Sequence, residues 1–168
     1  MRRCCLADED EMVESVMEGS LAGAWRFDHL GLVVKRLAKG RERMSGLLRI
    51  AEWTAPIEDA VNGVRLQFGR DPAGVVYELL EPLGQDSPVY EALRSGKAIL
   101  NHVAYRVPDL AAGAAHLATA GAARVSEPKP AIAYGGRPIQ FFVTPLRFII
   151  ELIEAPGHEH AFMRDRAA

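Results

Sequence analysis

One spacing occurs twice in this chain. His29 lies in FDHLGLVV and Glu78 follows 49 residues later in VVYELLEP; His102 lies in LNHVAYRV and Glu151 follows, again 49 residues later, in FIIELIEAP. The two histidines are 73 residues apart, and so are the two glutamates. A repeat of this length implies two copies of one supersecondary unit. It confines the 168 residues to folds in which two like units complete each other's core.

Each copy reads β-α-β-β-β. In the first, residues 27–34 alternate as a strand, and 36–48 have helical spacing through Leu37, Met44, Leu47 and Leu48. A short strand over 50–53 and a polar loop over 56–63 follow. Strands over 64–68 and 75–80 are joined by Asp71-Pro72-Ala73-Gly74, a strong turn signal. Ser87 as N-cap and Pro88 at the first helical position predict a connecting helix up to Gly96. The second copy has a strand over 100–107, a helix over 110–120 capped by Asp109 and stopped by Gly121, and a short strand over 123–126. A Pro- and Gly-bearing loop over 127–136 leads to strands over 139–144 and 148–154, joined through Pro145-Leu146-Arg147.

One such unit leaves an apolar sheet face uncovered. Two units side by side bury it by curling into an incomplete mixed β-barrel, an α+β fold whose concave side takes ligands. The expected organisation is an N-terminal extension over 1–24, a domain over 25–157 and a polar tail over 158–168. Within the domain, module one spans 25–82, a linker helix 83–98 and module two 99–157.

By alternation Glu78 shares a strand face with Val76 and Leu80, and Glu151 shares one with Ile149 and Ile153. A carboxylate buried among such residues without a partner takes up a proton rather than stay charged. A lone strand histidine or glutamate is ordinarily a hydrogen-bonded or solvent-facing residue. Four of them at a duplicated spacing are not explained that way. Two neutral imidazoles and two carboxylates around one divalent cation, Zn, Co, Mn, Ni or Fe(II), are.

Net charge is −2, with no basic stripe to engage nucleic acid or a membrane surface. The longest apolar runs are strand-sized, and no apolar stretch follows the basic start in the manner of a secretory signal. The adjacent Cys4 and Cys5 form neither a zinc spacing nor a disulfide framework, so a reducing cytoplasm is expected.

The blocks FDHLGLVV, YELLEPLGQDSPVYEAL, LNHVAYRVPDL, the Gly135-Gly136 loop and IIELIE resemble, in order, those of the vicinal oxygen chelate superfamily. That group holds glyoxalase I, extradiol dioxygenases, methylmalonyl-CoA epimerase and the fosfomycin- and bleomycin-resistance proteins. The resemblance covers about residues 25–155 and is closest to methylmalonyl-CoA epimerase. It implies a glyoxalase-like fold with His29, Glu78, His102 and Glu151 as metal ligands, and Glu151 and Glu78 as proton carriers. Gln67, Tyr134 and Gln140 would line the pocket, with Arg147, Arg70 or Lys97 meeting a substrate carboxylate or phosphate. The implied activity is a metal-dependent epimerase of an acyl-CoA-like thioester. The alternatives are a glyoxalase-I-type lyase acting on a thiol adduct, and a non-enzymatic resistance-type binder. A homodimer is implied by the same resemblance.

Two features depart from that pattern. Some epimerases carry a catalytic glutamate on the third strand of module one, where VRLQF offers Leu66 or Gln67. The turn between the last two strands is shortened to Pro145-Leu146-Arg147. A second metal site at His158 and His160 is not expected. His116 reads as a surface residue, and Trp25 and Trp53 as packing residues.

Overall fold

The structure, a computed structural model, describes residues 25–96 and 100–164. The expectations for residues 1–24, for Lys97 and for residues 165–168 lie outside the described residues.

In chain order, module one contains β1 (Arg26–Val33), α1 (Leu37–Leu48), β2 (Glu52–Trp53), β3 (Ile57–Asp59), β4 (Val64–Arg70) and β5 (Val76–Pro82). A short helix α2 (Tyr90–Ser95) leads to β6 (Leu100–Arg106), α3 (Leu110–Thr119), β7 (Ala123–Arg124) and β8 (Lys129–Ala131). A 3-10 turn (Ile132–Tyr134), β9 (Arg137–Val143), β10 (Ile149–Ile153) and β11 (Met163–Arg164) complete the described residues.

The first strands of the two copies, β1 and β6, pair antiparallel at the centre of one open mixed sheet. β5 runs parallel to β1 on one side, and β10 parallel to β6 on the other. β4 and β9 pair antiparallel with β5 and β10. The glutamate strands therefore flank the histidine strands in the order β5-β1-β6-β10, which brings four residues distant in sequence to one place.

The same face of each module packs on its helix. Leu37 of α1 meets Ile50, Trp53 and Leu79, while Leu110 and Leu117 of α3 meet Val107, Phe142 and Leu152. Leu79 and Leu152 stand next to the two glutamates on the opposite face and are wholly buried. They hold the glutamate strands against the helices by apolar burial. The helix starts are also tied to these strands. The Leu37 N–H donates to Glu81 Oε2 at 2.5 Å, and the Leu110 N–H donates to Glu154 Oε2 at 2.9 Å. Asp109 also caps α3, accepting from the Ala112 N–H at 2.9 Å.

Three sequence expectations are corrected. The presumed loops over 56–63 and 127–136 contain β3 and β8, matching ribbons that pair with β4 and β9. Ile57 faces Leu66 across the first, and Pro130 sits where β8 is an edge strand and needs no further N–H. The connecting helix starts at Tyr90, and Ser87 does not cap it by its side chain: its carbonyl accepts the Tyr90 N–H, while its hydroxyl is buried without a hydrogen bond. The tail is not merely polar, since β11 pairs with β2 at the edge of module one. No helix among the described residues is long and apolar enough to cross a membrane.

Candidate metal centre

β1 carries an irregularity between Phe27 and His29, and Asp28 has no strand partner there. Such a bulge re-aims a side chain. Asp28 and His29, neighbours that alternation would send to opposite faces, both turn into the interior, where Asp28 Oδ1 lies 2.8 Å from His29 Nδ1. Gly31, two residues on, pairs across the sheet with His102. A methyl group at Gly31 would collide with the His102 imidazole, so glycine here is what lets that ring lie over β1.

His29 Nε2 and His102 Nε2 face each other at 2.9 Å. Glu78 Oε2 lies 3.3 Å from the first and 3.4 Å from the second, and Glu151 Oε2 lies 3.4 Å and 3.1 Å from them. All four residues are buried. The other ring nitrogens are occupied, His29 Nδ1 by Asp28 and His102 Nδ1 by Asn101 Oδ1 at 3.0 Å. An acceptor at each Nδ1 keeps the proton there and leaves each Nε2 as a lone pair. Two imidazole lone pairs and two carboxylates then converge with no donor among them. Glu151 Oε2 is buried and has no polar partner beyond this cluster.

Such a set calls for a positive charge. Without a metal, protons supply it. Burial pushes His29 down as an acid, but the Glu78 charge and hydrogen bonds to Asp28, Glu151 and Glu78 outweigh this and raise it well above the ordinary imidazole value. His102 is raised in the same way, burial being outweighed by Glu151 and Glu78. Burial raises Glu78, but the facing histidines outweigh it and hold that carboxyl at about 2. A divalent cation fits the same space. Donors about 2.0–2.2 Å from a common ion stand roughly 3 Å apart, as these do. The donor set suits it, with Glu151 Oε2 buried and facing only the other ligands.

Glu78, His102 and Glu151 line the floor of a cavity of about 310 Å³, and His29 lies directly behind them, wholly buried. Its walls are largely apolar, with Val64, Leu66, Leu80, Ile139, Phe141 and Ile149 among them. Tyr134 lines it, donating its hydroxyl to Asp28 Oδ1 at 2.7 Å. Burial and the nearby carboxylates raise the Tyr134 phenol well above its ordinary value, so it remains a donor.

Four residues expected at the substrate are elsewhere. The Gln67 amide donates to the Thr54 carbonyl at 2.7 Å, and the Gln140 amide to the Ser126 carbonyl at 2.9 Å. Both belong to the helix side of the sheet, because Gln67 is paired with Leu79 and Gln140 with Leu152. Arg147 is exposed in the left-handed position of the Thr144–Phe148 turn, with φ 66°, away from the cavity. Arg70 pairs with Glu52 at the sheet edge. Of the two positions weighed for a third-strand base, Leu66 faces the cavity and Gln67 does not.

Sequence reasoning missed Asp28, Asp59, Arg106 and His160 as interior residues. Asp59 lines the cavity but is fully engaged, accepting from the Asn62 N–H, the Asn62 amide and the Ile132 N–H. It brackets the two modules together. Asp28 shows no sequence signal, since its inward turn depends on the bulge. His116 is exposed and Trp53 is buried packing, as expected.

A family model described as "Glyoxalase/Bleomycin resistance protein/Dioxygenase superfamily" matches residues 28–141. The chain is 32% identical over 117 residues to the ethylmalonyl-CoA/methylmalonyl-CoA epimerase of Cereibacter sphaeroides, covering 69% of this chain and 86% of that one. The solved methylmalonyl-CoA epimerase from Mycobacterium tuberculosis superposes with a TM-score of 0.66 at 24% identity, covering 80% of this chain and 89% of that chain. A variant of the Streptomyces coelicolor methylmalonyl-CoA epimerase in complex with 2-nitronate-propionyl-CoA gives 0.63 at 24% identity, covering 77% and 94%.

Proposed function

The chain belongs to the glyoxalase/bleomycin resistance protein/dioxygenase superfamily, and from that premise we propose that it is a metal-dependent epimerase of the methylmalonyl-CoA epimerase type. The observation that carries this reading is the convergence of two buried imidazoles and two buried carboxylates, three of the four lining the floor of an apolar cavity. His29, Glu78, His102 and Glu151 would hold a divalent cation of the Zn, Co, Mn, Ni or Fe(II) kind. Bound there, it would supply Lewis acidity to a thioester carbonyl as the α-proton leaves.

The chain's own residues divide the remaining work. Glu78 and Glu151 come from strands on opposite sides of the β1–β6 pair, so their carboxylates reach the floor from two sides. One takes the α-proton and the other returns a proton to the opposite face. Leu66 closes the wall where a third carboxylate would stand and keeps it dry. Lys129 is the one lysine or arginine lining the cavity among the described residues, and it meets the anionic part of the substrate. The same reading pairs two copies as a homodimer, which light scattering checks.

The test is proton exchange. The metal-loaded protein is incubated with one epimer of methylmalonyl-CoA in deuterated water. The reading expects deuterium at the α-carbon together with inversion. Turnover of a glutathione hemithioacetal without exchange into methylmalonyl-CoA would replace it with the lyase reading.

A further inference from the structure

The segment after β10 does something the rest of the fold does not require. It leaves module two, passes behind the His29 side of the metal centre and ends on the far edge of module one, where Met163 pairs with Trp53 and Arg164 with Glu52. On the way it tucks two half-buried histidines against the interior. His160 Nε2 lies 3.0 Å from Asp28 Oδ1, the oxygen that also holds His29 Nδ1. The His160 ring lies over Phe68 at 4.0 Å between centroids, and Phe68 in turn meets the edge of His29 at 5.2 Å. The His158 ring packs on Tyr134 at 4.6 Å, and its carbonyl accepts from Arg106, whose guanidinium pairs with Asp28 Oδ2 at 2.8 Å. Phe162 packs on the core and carries the Arg70 guanidinium over its ring at 4.5 Å.

Every group that touches Asp28, apart from Tyr134 and His29, therefore belongs to the tail or is tied to it. Asp28 has two neighbours on one oxygen from outside β1, His160 and Tyr134, and Arg106 on the other. Asp28, His29 and His160 also lie close enough together to hold a second ion. The Arg106 charge and the Tyr134 hydroxyl already satisfy Asp28, which removes the need for one.

We propose that His160 is a positioning residue for the metal centre: by holding Asp28 and packing on Phe68 it fixes the His29 imidazole with Nε2 presented to the ion, so that docking of the C-terminal tail sets metal affinity. Asp28 stands one hydrogen bond behind the ligand His29, a position whose loss commonly changes metal affinity by about 10- to 100-fold, and His160 acts through it. The inference rests on the metal-centre reading above.

The test is Co(II) affinity of the full metal-free chain, measured by competition with a chromophoric chelator, with the visible Co(II) spectrum recorded alongside. His160→Phe keeps a ring on Phe68 and removes the nitrogen that holds Asp28. The proposal expects affinity to fall several-fold, up to about the tenfold lower end for a direct ligand partner, with a changed spectrum, and to recover in His160→Gln, which restores an N–H donor. Phe162→Ala is the second arm. It loosens the tail's anchor while leaving every group at Asp28 in place, and a weakening in the same direction is expected. Unchanged Co(II) affinity in both His160→Phe and Phe162→Ala overturns the proposal and leaves the metal centre standing. A wild-type chain that binds no Co(II) overturns the metal-centre reading itself, and the proposal with it.

Discussion

The Nε2 atoms of His29 and His102 face each other at 2.9 Å, each ring held by an acceptor at its other nitrogen. Two lone pairs do not lie this close unless something positive lies between or beside them. Gly31 makes the approach possible, because a Cβ there would occupy the space of the His102 ring. Gly31→Ala should therefore displace His102 and weaken metal binding by more than tenfold while leaving the sheet folded. Circular dichroism and metal competition on the same sample check this. Retained affinity would mean that the ring has room to adjust.

Metal binding should release protons near neutral pH. His29 and His102 are raised above the ordinary imidazole value by the facing carboxylates, so the metal-free protein holds protons there to higher pH than free imidazoles would. Their contribution to stability is complete below about 6.5 and is lost as pH rises through the raised values. Glu78, held at about 2 in the folded protein, contributes above its usual range and loses that contribution as pH falls toward about 2. The metal-free protein should thus lose melting temperature as pH rises from 6.5. The metal-loaded protein should not, so the gap between them widens with pH. Melting curves with and without metal at pH 6, 7 and 8 measure it.

Each glutamate strand is held from its other face by one leucine. Leu152→Ala should cost about 2–5 kcal/mol of folding stability, by loss of buried side chain and the cavity left behind. Metal stoichiometry should be unchanged well below the melting point. Denaturant unfolding and metal content, measured together, separate packing from ligation.

Glu81 and Glu154 repeat the 73-residue offset of the ligands, and each accepts the first N–H of its module's helix. Glu81→Gln and Glu154→Gln should each cost roughly 0.5–2 kcal/mol, in the range of a lost helix-start interaction. The Glu81 change should be the larger, because α1 has no side-chain cap of its own whereas α3 keeps Asp109. Equal effects would contradict that difference.

The repeat was readable because a polar residue in an apolar strand leaves a mark, and two copies of the mark fix an offset. It located the four convergent residues and the order of the long strands. The faces of Gln67 and Gln140 were not readable, since they depend on register. In an antiparallel pair, residues opposite each other share a face, and Gln67 is opposite Leu79 while Phe68 is opposite Glu78. Asp28 was hidden by a bulge that breaks the alternation rule. His160 was hidden because a single histidine in a polar tail looks the same whether it is solvated or folded back onto the core. The second short ribbon of each module was hidden by the Pro and Gly residues that make β3 and β8 resemble loops.

The central claim is that these four side chains hold one divalent ion. Elemental analysis of the purified protein, of His102→Ala and of Glu151→Ala tests it most directly. About one equivalent of a transition metal in the wild type, lost in both variants while they remain folded, is the result expected. A folded wild type that stays metal-free after incubation with Zn, Mn, Co and Ni in turn would contradict the claim, and the buried quartet would then be held together by protons alone.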